Sequence, residues 1–242
     1  MKVLSIGNSF SQDAHRWLHK LAEVNGENIE TTNLYIGGCS LETHFKNMQE
    51  DNEAYELRLN GGEPTRNISI AEALKMEKWD VVTVQQVSGL SGIYKSYEPY
   101  LSALVQLIRE TNPQAKLYFH ETWAYEIDST HSSFKKYHNN QKEMFRCIKK
   151  TSKKAAKSID ATIIPVGEVI QKVRGKVKEF NYKKGGLSLC RDGFHLSYDY
   201  GRFTAAAVWL RTLTGKKVEV CDFEDFDPAL LQKILKIVNK KP

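Results

Sequence analysis

The stretch Lys2-Val-Leu-Ser-Ile-Gly7-Asn8-Ser9-Phe10-Ser11 decides the fold. Lys2–Ile6 is a short, mostly apolar run and predicts a first β-strand. Gly7-Asn8-Ser9 interrupts it. From Ser11 onward, Ala14, Trp17, Leu18, Leu21 and Ala22 recur at a helical period, which predicts a helix over 11–25. Strand, tight turn and helix in that order open a βαβ unit.

The same alternation continues along the chain. Strands are expected at 29–36, 79–84, 116–119 and 161–165, with helices at 41–50, 69–76 (Ser69 as its cap), 97–111, 138–158, 167–177, 198–213 and 228–238. The dense apolar run Trp79–Val84 reads as a strand buried on both faces. Residues 51–67, with Gly61-Gly62-Glu63-Pro64, read as a loop or an inserted hairpin. Residues 121–137 read as a long loop, a kind that often carries function. The alternation predicts an α/β protein with an open parallel sheet of about five strands and helices on both faces. A length of 242 residues suits one domain, spanning 1–242, able to bury a core without disulfides.

In such a sheet ligands sit beyond the C-terminal strand ends, so chemistry is sought immediately after strands. After the first strand, Ser9 stands in a strand-to-helix turn, its hydroxyl at the sheet rim near helix N–H groups that favour developing negative charge. The same residues, with Ser11 and Gln12, also suit a plain helix start. After the second come Gly37-Gly38, where glycine lets backbone N–H approach a ligand, or simply turns the chain. After the third, Gln85-Gln86 offers side-chain amides that suit an oxyanion donor or loop hydrogen bonds. After the fourth stand His120 and Trp123. Trp123 suits a sugar-stacking platform or core packing, and His120 a satisfied structural role. Late in the chain, Asp192-Gly-Phe-His195 places a carboxylate where it can hold an imidazole Nδ1–H, leaving Nε2 to accept a proton. A turn capping the next helix is the alternative. His15 and His19 read as surface residues.

Composition excludes several classes. The charge of +6, from 35 basic and 29 acidic residues, gathers on lysine-rich helix faces without a nucleic-acid-reading module. No apolar run reaches the roughly 20 residues that span a bilayer. The N-terminus lacks the apolar core of a signal peptide, so the chain as written is expected in the cytoplasm, unless it is the trimmed form of an exported one. Cys39, Cys147, Cys190 and Cys221 match no metal or redox spacing and are expected reduced and mostly buried. Cys190, Asp192 and His195 bunch too tightly to read as a metal site, and no metal or organic cofactor is expected.

Gly7-Asn8-Ser9-Phe10-Ser11 and Asp192-Gly193-Phe194-His195 resemble the first and last blocks of the SGNH (GDSL-like) hydrolases, in order and spacing over most of the chain. The likeness is to a bacterial branch of the family whose membership says little about substrate. It implies a three-layer α/β/α, flavodoxin-like fold. It implies Ser9 as nucleophile, His195 as base and Asp192 as its orienting partner. It implies an oxyanion hole from the Ser9 and Gly38 amides and a side-chain amide. The family's Gly-x-Asn-Asp block has no counterpart after Val84. Gln86 takes the amide role, as in the carbohydrate-esterase branches, with Gln85 as alternative. Asn8, Gln85 and Trp123 are the expected substrate contacts.

The expected function is hydrolysis of a small-molecule ester, with carbohydrate O-acetyl groups first because of Trp123, Tyr125 and the polar loops. A short-chain thioesterase or lipase-type esterase is the alternative within the class. A non-catalytic carbohydrate-binding relative and a flavin or nucleotide binder stand outside it. The last would want a longer phosphate-cradling loop than 7–11.

Overall fold

The structure, a computed structural model, describes residues 1–240. Strands β1 (Lys2–Gly7), β2 (Glu30–Tyr35), β3 (Tyr55–Leu59), β4 (Pro64–Ile68), β5 (Val81–Val84), β6 (Lys116–His120) and β7 (Thr162–Ile164) form one seven-stranded sheet in the order β4-β3-β2-β1-β5-β6-β7. The five strands foreseen from sequence are its parallel part, β2-β1-β5-β6-β7. Counted among themselves they run 2-1-3-4-5, the flavodoxin-like order.

The expected five-stranded sheet is therefore two strands short. Residues 51–67 form an antiparallel hairpin, β3–β4, on the β2 edge. Of the two readings of 51–67, the inserted hairpin is the one present; its outer strand is almost wholly exposed (Pro64–Asn67) and carries no apolar alternation, so the sequence left loop and hairpin unseparated.

Helices α1 (Ser9–His15), α2 (Leu18–Val24), α7 (Val166–Lys176), α8 (Tyr200–Thr214) and α9 (Pro228–Val238) cover one face of the sheet. Helices α3 (Leu41–Gln49), α4 (Ile70–Met76) and α5 (Tyr100–Thr111) cover the other, and α6 (Gln141–Ser158) contributes to both cores at the β7 side. Strand β1 shows how pleating sorts side chains between them. Leu4 and Ile6 enter the α3–α5 core, while Val3 faces the α8 side. Ser5 turns the same way as Val3, where its hydroxyl meets His15 Nε2 at 2.9 Å and accepts from Thr83 at 2.8 Å.

The helix expected over 11–25 is broken into α1 and α2 at Arg16-Trp17. Here the tip of the hairpin packs so closely that a Cβ on Gly61 would lie 2.6 Å from Arg16 Cα. His15, read from sequence as a surface residue, is fully buried. The four cysteines are free; Cys39 and Cys190 are buried, Cys147 is half-buried and Cys221 is exposed.

Three imidazoles, His15, His44 and His120, are wholly buried, and burial pulls each from its ordinary 6.5 to about 3, with His15 adding to the effect on His120. They fold neutral. Stability from this source is complete above pH 6.5 and is lost as pH falls from there toward 3, where the unfolded chain binds protons that the folded chain refuses. Chemical denaturation between pH 7.5 and 4.5 should show stability falling with an uptake of up to about three protons on unfolding. Replacing His120 by an apolar residue should flatten the slope.

Candidate active site

The turn after β1 is fixed before any ligand is considered. Asn8 caps α1: its Oδ1 accepts from Phe10 N–H at 2.9 Å, and its own N–H donates to Ser11 Oγ at 3.0 Å. Ser11 donates in turn to Asn33 Oδ1 at 2.9 Å. The turn needs Gly7, because a Cβ there would lie 2.1 Å from Ser11 Oγ. Ser9 is left as the first helical residue, half-buried, with its hydroxyl at the sheet rim.

The second half of the site lies in the irregular segment before α8. An isolated antiparallel bridge, Cys190 with Leu196, closes the turn 191–195. Asp192 Oδ1 accepts from His195 N–H at 2.8 Å and Phe194 N–H at 3.2 Å, and Oδ2 meets His195 Nδ1 at 2.7 Å. A carboxylate only accepts, so Nδ1 carries the proton and Nε2 is the free acceptor. Nε2 lies 2.9 Å from Ser9 Oγ. Ser9, His195 and Asp192 thus form one hydrogen-bonded line of the geometry that activates a hydroxyl. Partial burial works against ionisation of Asp192. Its hydrogen bonds to the His195 ring and to the His195 and Phe194 amides outweigh that and set its carboxyl below the usual range.

Ser9 and His195 open into a cleft of about 580 Å³. Its walls include Tyr35, Gly37, Gly38 and Ser40 after β2, Val87–Leu90 after β5, and His131, Ser133 and Lys136 from the 121–137 loop. Gly38 has φ +65°, which favours glycine. Within the described residues the Ser9 and Gly38 amides make no hydrogen bond. A larger groove of about 1150 Å³ near α9 and 217–222 holds none of the predicted residues.

The side-chain amides depart from expectation. Gln86 Oε1 accepts from Leu41 N–H at 3.0 Å and Val87 N–H at 2.8 Å, and its Nε2 donates to Ser96 O at 3.0 Å. It ties α3 to the loop after β5 and offers no donor to the cleft. Gln85, on the opposite face of the strand, donates to Asn8 Oδ1 at 2.7 Å and accepts from His120 Nδ1 at 2.8 Å. Of the two, neither reaches the cleft. Asn8 borders it, but its amide donates to Cys39 O at 3.0 Å, so its polar atoms hold backbone rather than substrate.

Trp123 is no stacking platform. It is fully buried, stacked on Phe10 with ring centroids 4.1 Å apart, and donates to Phe194 O at 2.7 Å. It joins the neighbour of Ser9 to the neighbour of His195. Tyr125 is buried too, bonded to Ser88 Oγ at 2.9 Å.

The sequence reading passed over His131 and Lys136, which carry no motif and are brought in only by the path of their loop. It also passed over Asp13, a carboxylate among the apolar positions of α1 and 1% exposed. Its place on that face was the available signal.

The layered sheet is the fold of the SGNH (GDSL-like) hydrolases, shared with solved structures described as a putative SGNH hydrolase and a putative GDSL-like lipase. The pattern of DUF4886, a domain of unknown function, matches residues 2–230, and this chain belongs to that family. A DUF4886 family protein from Bacteroides uniformis ATCC 8492 is 40% identical, with TM-score 0.91 over 98% of this chain and 93% of that one. An acetyl xylan esterase from Geobacillus stearothermophilus shares the fold at 15% identity and TM-score 0.58, over 90% of this chain and 97% of that one. A lipase/acylhydrolase from Enterococcus faecalis does so at 14% and 0.55, over 90% and 98%. Among curated proteins none matches.

The two bonds that Gln86 accepts make it a structural residue. Gln86→Ala should lower stability by about 1–3 kcal/mol, because two amides lose their acceptor. Thermal unfolding reads this directly. An unchanged melting temperature with a large loss of turnover would return Gln86 to the oxyanion role.

Proposed function

We propose that this protein is a serine esterase in which Ser9 is the nucleophile, His195 the general base and Asp192 the group that orients and stabilises the imidazole. The observation that carries the reading is the unbroken line Ser9 Oγ–His195 Nε2, His195 Nδ1–Asp192 Oδ2, at 2.9 and 2.7 Å. A capping serine needs no imidazole at its hydroxyl, and a histidine that merely caps a turn needs no serine.

His195 takes the Ser9 proton as Oγ attacks the ester carbonyl. The oxyanion is met by the amides of Ser9 and Gly38, and the backbone of Ser88 and Gly89 at the cleft is the candidate for the place first given to Gln86. All four residues border the cleft. Each donor of this kind contributes roughly 2.7–4 kcal/mol to lowering the barrier. Collapse expels the alcohol, which leaves with the proton held by His195. Water, deprotonated by the same ring, then releases the acid from Ser9.

For the substrate we favour short acyl esters of a hydroxyl-rich alcohol. The cleft is lined by a few apolar side chains (Val87, Leu90, Phe194) together with hydroxyls, an imidazole and an ammonium (Tyr35, Ser40, Ser133, His131, Lys136). Burial of Trp123 and Tyr125 removes the aromatic argument for sugar stacking. The shared fold with an acetyl xylan esterase makes acetylated saccharides the first compounds to assay.

Ser9→Ala should abolish labelling by a fluorophosphonate probe and reduce ester turnover by roughly a million-fold, and Asp192→Asn should reduce it by roughly 10,000-fold. Mass spectrometry of the labelled peptide and a comparison of acetyl with octanoyl esters provide the check. Wild-type protein that is neither labelled nor active would falsify the reading. Preference for the longer ester would move it to the lipase-type alternative.

A further inference from the structure

Asp13 is the most heavily engaged carboxylate of the site region and has no part in the proposed chemistry. It lies on α1 four residues after Ser9, one helical turn along, and is 1% exposed. Its Oδ1 accepts from Arg202 Nε of α8 at 2.8 Å and from Arg191 Nη1 at 3.0 Å. Its Oδ2 accepts from Leu196 N–H at 2.9 Å and from the same Arg191 nitrogen at 3.2 Å. Arg191 immediately precedes Asp192, and Leu196 immediately follows His195. One carboxylate therefore grips both ends of the turn that presents the base. Arg191 Nη1 also donates to Leu196 O, which draws those ends together.

The turn belongs to no helix or strand and Asp192 is 41% exposed on its side chain; its own backbone closes it through the Cys190–Leu196 bridge and the bond from Arg191 N–H to His195 O at 2.9 Å. Gly193 O accepts from Glu126 N–H at 2.7 Å, and Phe194 O accepts from Trp123 Nε1 at 2.7 Å. Those bonds lead to the loop after β6. Trp123 reaches α1 only by stacking on Phe10, so beside the Ser9–His195 bond itself the Asp13 bonds are the polar ties between the ends of the turn and the helix that carries Ser9. An error in turn position passes directly into the gap between Nε2 and Oγ. Misplacement by about 1 Å can cost up to about 100-fold in rate. A buried carboxylate shared by two guanidiniums is costly to desolvate, and it is a weak way to add stability. It is a rigid way to fix a distance, because charge-assisted bonds are short and directional.

We propose that Asp13, through Arg191 and Leu196, is a positioning residue that sets the spacing of His195 from Ser9. The proposal rests on the esterase reading of that pair.

The test uses the full-length chain with Asp13→Asn and Arg191→Met, each measured for kcat, KM, Ser9 labelling rate and thermal unfolding. A Leu231→Ala variant in α9, buried and remote from the cleft, serves as the control for lowered stability. Asp13→Asn keeps an acceptor for Leu196 N–H but loses the charge that pairs the guanidiniums. The expected result is a fall in kcat and in labelling rate of up to about 100-fold, with KM changed by no more than about twofold. Arg191→Met should fall in the same way by less, and Leu231→Ala should keep wild-type kcat per folded molecule. If Asp13→Asn does not fold, Arg191→Met decides by the same criterion. Folded variants with wild-type kcat, or losses that match Leu231→Ala at equal stability, overturn the positioning role while the esterase reading stands. A wild type that neither labels nor turns over esters sinks both.

Discussion

Everything in the candidate site depends on one hydrogen bond that closes over 186 positions of chain, from His195 Nε2 to Ser9 Oγ at 2.9 Å. A serine hydroxyl is a weak nucleophile until a base stands within reach of its proton. Neither group can find the other locally. The first is delivered by the turn after β1, at the centre of the sheet, and the second by an irregular segment before α8. What joins them is the packing of α1 against α8 over the same sheet face.

That dependence explains why the surroundings of the pair are so polar where a core would normally be apolar. Asn8, Gln85 and His120 form a buried chain of hydrogen bonds beneath the turn, and Ser5, Thr83 and His15 a second one beside it. Directional bonds in a buried network specify one arrangement more sharply than apolar packing does, although His15 Nδ1 and His120 Nε2 have no partner. Each such group is costly to bury unless it is paired. Trp123 adds the apolar counterpart, stacking on Phe10 while holding the Phe194 carbonyl. Residues that sequence reading assigned to substrate therefore turn out to hold the residues that face it.

How much was legible follows from the range of the forces involved. The five parallel strands were legible because each is a short apolar run between helical periods, and period is a local property. The hairpin was not resolved, because a solvent-facing edge strand such as Pro64–Ile68 needs no apolar alternation. The placement of Ser9 was legible because a tight turn after a strand leaves a local signature, and the Asp192–His195 turn because its short motif resembles that of a known family. Gln86 was misread because the amide's direction depends on which unpaired backbone groups, Leu41 N–H and Val87 N–H, tertiary folding leaves beside it.

The sequence by itself determined the layered α/β class, the strand-turn-helix that exposes Ser9, and the Asp192–His195 turn, because these follow from periodicity and from bonds spanning a few residues. Only the tertiary structure decided that hydroxyl meets imidazole. It alone decided that Asn8, Gln85 and Trp123 face inward and that Asp13 grips the distant turn. Those outcomes depend on which surfaces the packed helices bring together, and sequence separations of 178 to 189 residues carry no local trace of that.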